Sequence, residues 1–420
     1  MTEKRLQAYK FQLIPTGEQE RKMRRFAGTC RRIFNDTLAL QQERYKQGQK
    51  KLSFVDTCKL LTFWRNAPET SWLAETPCAL QQQTLKDLER AYTNFFARRS
   101  DHPRFKARGD RASYRFPAPA NIKIEQHNNR ISLPKIGWLR YRNSREILGA
   151  VRNVTVSRTV GKWYATIQTE RDVELPVPQG GAVGIDMGTV RLATLSDGSH
   201  IEPLDSFRQH EKALCKAQQK MSRKKKGSAN WRKAKARVGK IQARIACARG
   251  DYLHKLSAEI SENAFVVVEN LKVKNMIRSA KGTIKKPGTN VRAKSGLNKS
   301  ILDQGWGELR RQLEYKTKWK GGLSVAVPAQ YTSQTCPQCG HIAQKNRPTQ
   351  ANFECVNCRF QENADVVASI NVLRAGHAQM AQAQREGHSR IACQVTDTVT
   401  SAATGTHRGD HTGDFLGAAQ

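Results

Sequence analysis

Acidic residues are scarce in this chain. Its 420 residues include 36 Asp and Glu against 72 Lys and Arg, so the formal net charge is +36. An excess of this size opposes the compact state by self-repulsion unless a polyanion neutralises it. Lys and Arg side chains that neutralise phosphates also release counterions, which gives affinity without sequence preference. The charge therefore predicts a nucleic-acid partner, and a merely soluble basic protein is the alternative.

The sequence also lacks segments that direct a protein to a membrane. The N-terminal MTEKRLQAYKF contains no hydrophobic stretch of the signal-peptide kind, and no apolar run approaches transmembrane length. Neither an amphipathic anchor nor a lipidation motif is evident. A Walker loop, a dinucleotide fingerprint and a serine-nucleophile elbow are absent as well. We therefore expect a cytoplasmic protein without a membrane partner.

Six of the ten cysteines show no spacing pattern, and in a reducing compartment we expect them to be buried thiols. They are Cys30, Cys58, Cys78, Cys215, Cys247 and Cys393. The other four form CPQC and CVNC, separated by fifteen residues, which is a spacing typical of zinc sites. Four thiolates complete a tetrahedral site without an open position, so the predicted zinc is structural. Its ligands are Cys336, Cys339, Cys355 and Cys358.

Three acidic residues stand in apolar surroundings. Asp186 lies in the alternating run VGIDMG, Glu269 closes the apolar run FVVVEN, and Asp365 lies in the first turn of a predicted helix. Taken singly, they also fit a turn acid, a strand-end ion pair and compensation of a helix dipole. Brought together, three carboxylates need cations, because like charges disfavour one another's ionisation. Two Mg²⁺ ions would meet that need and support phosphodiester hydrolysis.

The secondary-structure pattern changes several times along the chain. A strand ends at Pro15, helices follow to about residue 98 with Thr16 as the first cap, and short alternating runs fill residues 113–170. We expect the first strand to join the sheet of those runs, which makes the helical module an insertion. Residues 279–300 are predicted to form a mobile loop, and the last helix is expected over 363–375.

Residues 205–263 form a long basic helical stretch with 16 Lys or Arg and five acids. The run RKKKGS at 223–228 predicts a break, and therefore a helical hairpin. Unneutralised charge of one sign opposes folding, so we expect this hairpin to face phosphates, with a solvated helix face as the alternative. The candidate contacts are Arg223, Lys224, Lys225, Lys226, Arg232 and Lys233.

Three blocks of this sequence resemble, in order, those of TnpB proteins, the transposon-encoded ancestors of type V CRISPR effectors. The blocks are GIDMGTVRLATLSDG, then RGDYLHKLS with FVVVENLKVKNM, then YTSQTCPQCG…FECVNC…ADVVASINVL. The resemblance is strong over residues 180–375 and looser before them. It implies an α+β multidomain protein whose RNase H-like (RuvC) α/β nuclease domain carries an inserted zinc ribbon, beside a wedge β-barrel with an inserted helical recognition lobe.

The implied domain boundaries follow the motifs. The wedge barrel would comprise residues 1–15 and 112–178, and the helical lobe residues 16–111. The nuclease domain would comprise residues 179–331 and 363–376, and the ribbon residues 332–362. Residues 377–420 are expected to be a disordered tail.

The same resemblance implies an RNA-guided endodeoxyribonuclease. Such a protein binds a guide RNA derived from the transposon end and cuts complementary DNA beside a short adjacent motif. Asp186, Glu269 and Asp365 would be the three RuvC acids and hold two Mg²⁺ ions, with Mn²⁺ as an alternative, while the four cysteines hold one Zn²⁺. The implied partners are the guide RNA, the target DNA and a companion transposase encoded nearby. The protein would act as a monomer with its RNA, associated with the nucleoid.

Two positions depart from the family pattern, and three other functions stay open. Arg359 stands where the family commonly has Gly, and Val367 stands where it often has Asn. The first alternative is a nuclease-inactive, RNA-guided DNA-binding repressor. The second is a guide-independent RuvC-like resolvase or transposase. The third is a zinc-ribbon DNA-binding module without catalysis.

Overall fold

The computed structural model describes residues 2–107 and 112–386. The chain divides after Glu174 into two compact units. None of the helices among the described residues is long and apolar enough to cross a membrane.

The first unit is built on a seven-stranded sheet with the order β2-β6-β7-β1-β5-β4-β3. The N-terminal strand β1 pairs antiparallel with β7, the last strand of this unit in the chain, from Thr2 opposite Glu174 to Leu13 opposite Trp163. The prediction that the N-terminal strand joins this sheet is therefore confirmed. Closure of the sheet into a barrel stays a prediction. The strands are β1 (Thr2–Ile14), β2 (Ala112–Phe116), β3 (Lys123–Glu125), β4 (Arg130–Leu133), β5 (Gly137–Tyr141), β6 (Ala150–Thr159) and β7 (Lys162–Glu174).

Three helices lie between β1 and β2 in the chain: α1 (Gly17–Lys46), α2 (Phe54–Asn66) and α3 (Cys78–Phe96). Thr16 caps α1 as predicted, because its side chain accepts a hydrogen bond from the Gln19 backbone N–H and Gln19 returns one to the Thr16 backbone. Met23 and Phe26 of α1 extend the apolar core of the sheet. Two turns further, Ile33 packs against α2 and α3 instead. The first half of α1 and the start of α3, through Leu80, therefore attach the helices to the sheet.

A five-stranded mixed sheet forms the centre of the second unit, in the order β10-β9-β8-β11-β12. The central strand buries Val266, Val267 and Val268 completely or nearly so, as its continuous apolar run predicted. It is parallel to both neighbours, so the carboxyl ends of three strands meet at one edge. The strands are β8 (Gly180–Asp186), β9 (Ala193–Leu195), β10 (His200–Ile201), β11 (Asn263–Glu269) and β12 (Leu323–Val327).

The helices of this unit are α4 (Ser206–Ser222), α5 (Ala229–Ile260), α6 (Val273–Met276), α7 (Val291–Gln304), α8 (Trp306–Trp319) and α9 (Ala364–Arg385). Of these, α8 and α9 make the main direct contacts with the sheet. The break predicted at RKKKGS is confirmed by the end of α4 and the start of α5. The predicted loop over 279–300 is wrong in its second half, because α7 begins at Val291. The side chains of Lys294 and Asn298 of α7 donate hydrogen bonds to the carbonyls of Met276 and Ile277. Because these bonds join residues far apart in the sequence, no local sequence pattern indicates the helix that they hold.

The last helix continues past its predicted end at residue 375. Gly376 does not stop α9, because it is the point at which the helix touches β11; a Cβ there would lie 2.4 Å from a Val267 methyl. The expected disordered tail is therefore wrong for residues 377–385, and residues 387–420 lie outside the described residues.

The expectation of buried thiols holds for only part of the scattered cysteines. Cys30 is buried and Cys58 is half-buried, but Cys78, Cys215 and Cys247 are exposed. The exposed three lie on outward faces of the amphipathic helices α3, α4 and α5. Helical periodicity decides their exposure, and residue type does not. Cys393 lies outside the described residues.

Gly184 lets α9 approach β8 closely enough to bring its first turn to the sheet edge. A Cβ at this position would stand 2.2 Å from the Ser369 carbonyl oxygen and 2.7 Å from the Leu373 backbone nitrogen. We expect Gly184→Ala to lower the free energy of unfolding by about 1–3 kcal/mol, since backbone must move. Gly181→Ala is the matched control in the same strand, because its Cβ would meet no atom within 4 Å. Equal urea midpoints for the two variants would contradict this role.

Candidate active site and metal centre

Asp186 and Glu269 stand at the carboxyl ends of adjacent parallel strands. The register pairs Ile185 with Val268, so the two acids are the next residues along β8 and β11. Glu269 is 5% exposed, and the Thr332 hydroxyl donates a hydrogen bond of 3.1 Å to its Oε1. A side-chain hydrogen bond also joins the two carboxyl groups. The sheet therefore brings together two of the three predicted acids.

The third acid arrives on α9. The Asn363 side chain caps this helix by accepting bonds from the backbone N–H groups of Asp365 and Val366, which fixes the first turn. The charge of Asp365 acts on Asp186. Asp186 thus interacts with both other predicted acids at this edge of the sheet, while the oxygens of the three carboxylates do not all lie within 4.8 Å of one another.

Arg347 is a member of this site that the sequence analysis missed. Its Nη2 lies 3.3 Å from Asp365 Oδ1, and the same nitrogen donates to the Gln350 carbonyl at 2.6 Å. Its side chain is 26% exposed. In the sequence nothing distinguishes it from the many other basic residues, since its position depends on how the segment before the second cysteine pair folds.

Two of the acids, Asp186 and Glu269, have raised pKa values and therefore favour binding a proton or a cation. Burial and the charge of Asp365 raise the pKa of Asp186 to about 6. Burial and the charge of Asp186 raise the pKa of Glu269 to about 8, although the Thr332 bond works against the rise. Crowded, desolvated carboxylates are unfavourable as anions. Their oxygen ligands suit a hard divalent cation, which would take the place of the shared proton.

The raised pKa values predict how pH affects the metal-free protein. Between about pH 4 and pH 8 the folded state holds protons on Asp186 and Glu269 that the unfolded chain releases, so stability falls as pH rises through that window. In Mg²⁺-free buffer we expect wild-type protein to lose more thermal stability from pH 5 to pH 8 than Asp186→Asn. Differential scanning fluorimetry of both proteins across this range would check it. Parallel pH curves would contradict the coupling.

The four predicted cysteines converge as a metal site. Their sulfurs lie within 4.8 Å of one another, and no other group of three or more His, Cys, Asp or Glu ligand atoms does so among the described residues. Cys336 and Cys358 sulfurs are 3.5 Å apart, and those of Cys339 and Cys355 are 3.6 Å apart. Sulfurs bound tetrahedrally at about 2.3 Å would be separated by about 3.8 Å. The arrangement therefore fits one zinc ion.

Two similar turns present these sulfurs. In the first, the Gly340 N–H bonds the Cys336 carbonyl, and in the second the Arg359 N–H bonds the Cys355 carbonyl. Gly340 and Arg359 both have a positive φ, 75° and 63°. Arg359 thus adopts a left-handed conformation that glycine would adopt without strain, at a cost of about 1 kcal/mol for a non-glycine residue.

The ribbon packs directly on α9. Its strands are β13 (Asn352–Glu354) and β14 (Gln361–Asn363). Val367 is fully buried in a cluster with Cys336, Phe353 and Cys355, so the second departure from the family pattern serves helix packing. Asn371 donates to the Thr332 and Thr335 carbonyls at 2.8 and 2.7 Å. The fold of the ribbon therefore helps to fix where Asp365 lies.

The basic hairpin of α4 and α5 presents its charge to solvent. All six predicted contacts are exposed, while Leu214, Val238 and Ile245 pack between the two helices. The Lys235 ammonium stands 5.1 Å from the centre of the Trp231 ring. The surface suits phosphates, and the individual contacts stay predictions. They are Arg223, Lys224, Lys225, Lys226, Arg232 and Lys233.

The chain is similar to proteins encoded by transposons and to CRISPR-associated proteins. Residues 165–280 match the OrfB_IS605 family, described as a probable transposase. Residues 306–372 match the Cas12f1-like TNB domain, and residues 1–50 match the OrfB_IS605 helix-turn-helix domain.

Two relatives and one solved structure extend the comparison. The chain is 53% identical over 380 residues to the putative RNA-guided DNA endonuclease InsQ of Escherichia coli K12, covering 90% of this chain and 94% of that protein. It is 35% identical over 382 residues to a putative RNA-guided DNA endonuclease of Streptomyces pristinaespiralis, covering 89% and 90%. A Cas12f1–sgRNA–target DNA complex has a similar fold, with a TM-score of 0.51 at 12% identity, over 88% of this chain and 98% of that one.

Proposed function

Because this chain belongs to the TnpB family, we propose that it is an RNA-guided DNA endonuclease that binds a transposon-end-derived RNA and cleaves complementary DNA beside a short adjacent motif. Base pairing with the guide would supply sequence specificity, while the protein holds the heteroduplex by its backbone. The net charge of +36 suits that task, since it favours phosphates without reading bases.

The observation that carries the proposal is the meeting of Asp186, Glu269 and Asp365 at one sheet edge. Two Mg²⁺ ions, or Mn²⁺, would activate the attacking water and stabilise the leaving 3′ oxygen when bound there. Asp186, which interacts with both other acids, would hold the metal together with them. Thr332 orients Glu269, and Arg347 orients Asp365. The four cysteines would hold one structural Zn²⁺.

The proposed architecture follows the order of elements. The helical lobe interrupts the chain between β1 and β2 of a wedge-type sheet, for which we propose barrel closure. The ribbon interrupts a RuvC-like domain between β12 and α9. The parallel core β8-β11-β12 with antiparallel β9 supports this assignment. We propose that the protein acts as a nucleoid-associated monomer with its RNA, alongside a separately encoded transposase.

A co-purification experiment tests the proposal. The protein would be expressed with its native flanking DNA, its bound RNA would be sequenced, and the complex would be challenged with a matching duplex and Mg²⁺. Cutting that requires the recovered RNA supports the proposal. Guided binding without cutting would favour the repressor alternative, and cutting without RNA would favour a guide-independent resolvase or transposase. DNA binding that needs no RNA and leads to no cutting would favour the third alternative, a zinc-ribbon DNA-binding module without catalysis.

Arg347 offers a further prediction for this site. We expect Arg347→Ala to slow cleavage about 10–100-fold and to raise the Mg²⁺ concentration needed, because Asp365 loses the group that orients it. Arg347→Lys should recover part of the rate. Lys345→Ala is the matched control, since it removes an exposed basic residue of the same segment. Cleavage kinetics over a Mg²⁺ titration would show an unchanged metal requirement if Arg347 had no such role.

A further inference from the structure

A cavity outside the nuclease site opens between the ends of two helices of the first unit. Its volume is about 520 Å³. Helix α1 ends at Lys46 and helix α3 at Phe96, and both last turns line the cavity. Gly48, with a φ of 69°, turns the chain away after α1, so the segment 49–51 folds back over the same cavity. The residues that line the cavity include Gln42, Tyr45, Tyr92, Phe95, Phe96 and His102.

Aromatic rings dominate this lining, and part of their surface faces solvent. The His102 ring contacts Phe95 and Tyr92 edge-on, with centres 5.2 and 5.6 Å apart. Tyr92 and Phe96 stack at 6.1 Å. Tyr45 is nevertheless 83% exposed and Phe96 is 65% exposed. The cluster is preorganised by its own ring contacts yet leaves two aromatic side chains available to a ligand.

The cavity also carries unused hydrogen-bonding groups. Gln41 is occupied, because its amide bonds the backbone N–H and carbonyl of Leu52 at 2.9 and 3.0 Å. In the part of the chain that the structure describes, the side-chain amides of Gln42 and Gln49 have no hydrogen-bond partner. Each amide offers a donor and an acceptor in one plane, which matches the edge of a planar heterocycle.

The rim of the cavity is basic. Residues 42–51 contain four Lys or Arg and one acid, Glu43, and residues 98–104 contain three Arg and one Asp. Glu89, the nearest acid on α3, is bound by Lys51 at 2.7 Å. An uncharged aromatic ligand alone would not need this rim, whereas a ligand joined to phosphates would.

We propose that this cavity receives a nucleobase unstacked from a single-stranded segment of nucleic acid, with its phosphates along the basic rim. Tyr45 and Phe96 supply ring faces for stacking, and Gln42 with Gln49 meets the base edge. The site is separate from the carboxylate centre. It rests on the proposed function only in taking nucleic acid as the ligand.

The test compares binding of an oligonucleotide that carries bases with binding of an oligomer that has the sugar-phosphate backbone alone. Fluorescein-labelled oligouridine and an abasic ribose-phosphate oligomer of equal length would be titrated into the full-length protein at raised salt, where phosphate binding weakens. We expect wild-type protein to prefer oligouridine about tenfold or more, and the double variant Tyr45→Ala, Phe96→Ala to lose that preference. Tyr45→Phe should keep it. Phe63→Ala is the control, because Phe63 is 69% exposed on α2 of the same lobe without lining the cavity.

A second readout does not depend on the variants folding. Photo-crosslinking of 5-bromouridine-substituted oligouridine to wild-type protein should label peptides from residues 41–51 or 92–102. Equal affinity for the abasic oligomer, or crosslinks confined to other segments, would overturn the pocket. If guided cleavage persists under that outcome, the proposed function stands and only the pocket fails. If no oligonucleotide binds at all, the pocket fails, and recovery of bound RNA from the co-purified protein decides the proposed function separately.

Discussion

Replacing Asp186 with alanine is expected to abolish guide-dependent DNA cleavage, by about 10³-fold or more, while guide RNA stays bound. Asp186 is the acid that interacts with both Glu269 and Asp365, so its loss removes the carboxylate on which the proposed metal site most depends. Metal ions that stabilise an attacking and a leaving oxygen lower the activation barrier by several kcal/mol, which corresponds to at least this factor in rate. RNA binding draws on the basic surfaces instead and should persist.

The measurement is single-turnover cleavage of a matching duplex by complexes with equal RNA content. Asp251→Ala serves as the matched control, since it removes an exposed acid of α5 that pairs with Lys255 at the surface. Full cleavage by the Asp186→Ala protein would show that the chemistry lies elsewhere. Loss of RNA from this variant would instead point to misfolding of the second unit.

Replacing Cys355 with serine is expected to release the zinc ion, unfold the ribbon and eliminate cleavage. Binding of a structural zinc contributes about 10–16 kcal/mol to small zinc domains, so three thiolates are a poor substitute for four. Cys355 and Val367 share one buried cluster, and Arg347 lies in the segment between the two cysteine pairs. Loss of the ribbon therefore also removes the groups that hold Asp365.

Zinc content by atomic emission, near-ultraviolet circular dichroism and cleavage would be measured together. Cys247→Ser is the control, because Cys247 is exposed on α5 and should keep one zinc per chain with full activity. Retention of zinc and cleavage by the Cys355→Ser protein would contradict a structural metal. Loss of zinc with intact cleavage would show that the ribbon and the carboxylate site are independent.

Features whose signal lies in neighbouring residues could be predicted from the sequence. The spacing of two cysteine pairs predicted the metal group, because each pair sits in one short turn. The apolar run before Glu269 predicted a central strand, since full burial on both faces requires it. The charge predicted the class of partner. Thr16 and the break at 223–228 were also readable, because capping and helix termination depend on neighbouring residues.

Contacts between residues far apart in the chain could be found only from the folded structure. Arg347 contacts Asp365 only because the ribbon folds back on α9, and Thr332 reaches Glu269 from 63 positions away. Helix α9 continues through Gly376 although glycine has a low helix propensity, because the close contact with Val267 outweighs that cost. The aromatic cavity likewise needs the ends of two helices side by side. Such contacts depend on packing between segments far apart in the chain, and no periodicity or short motif within either segment records them.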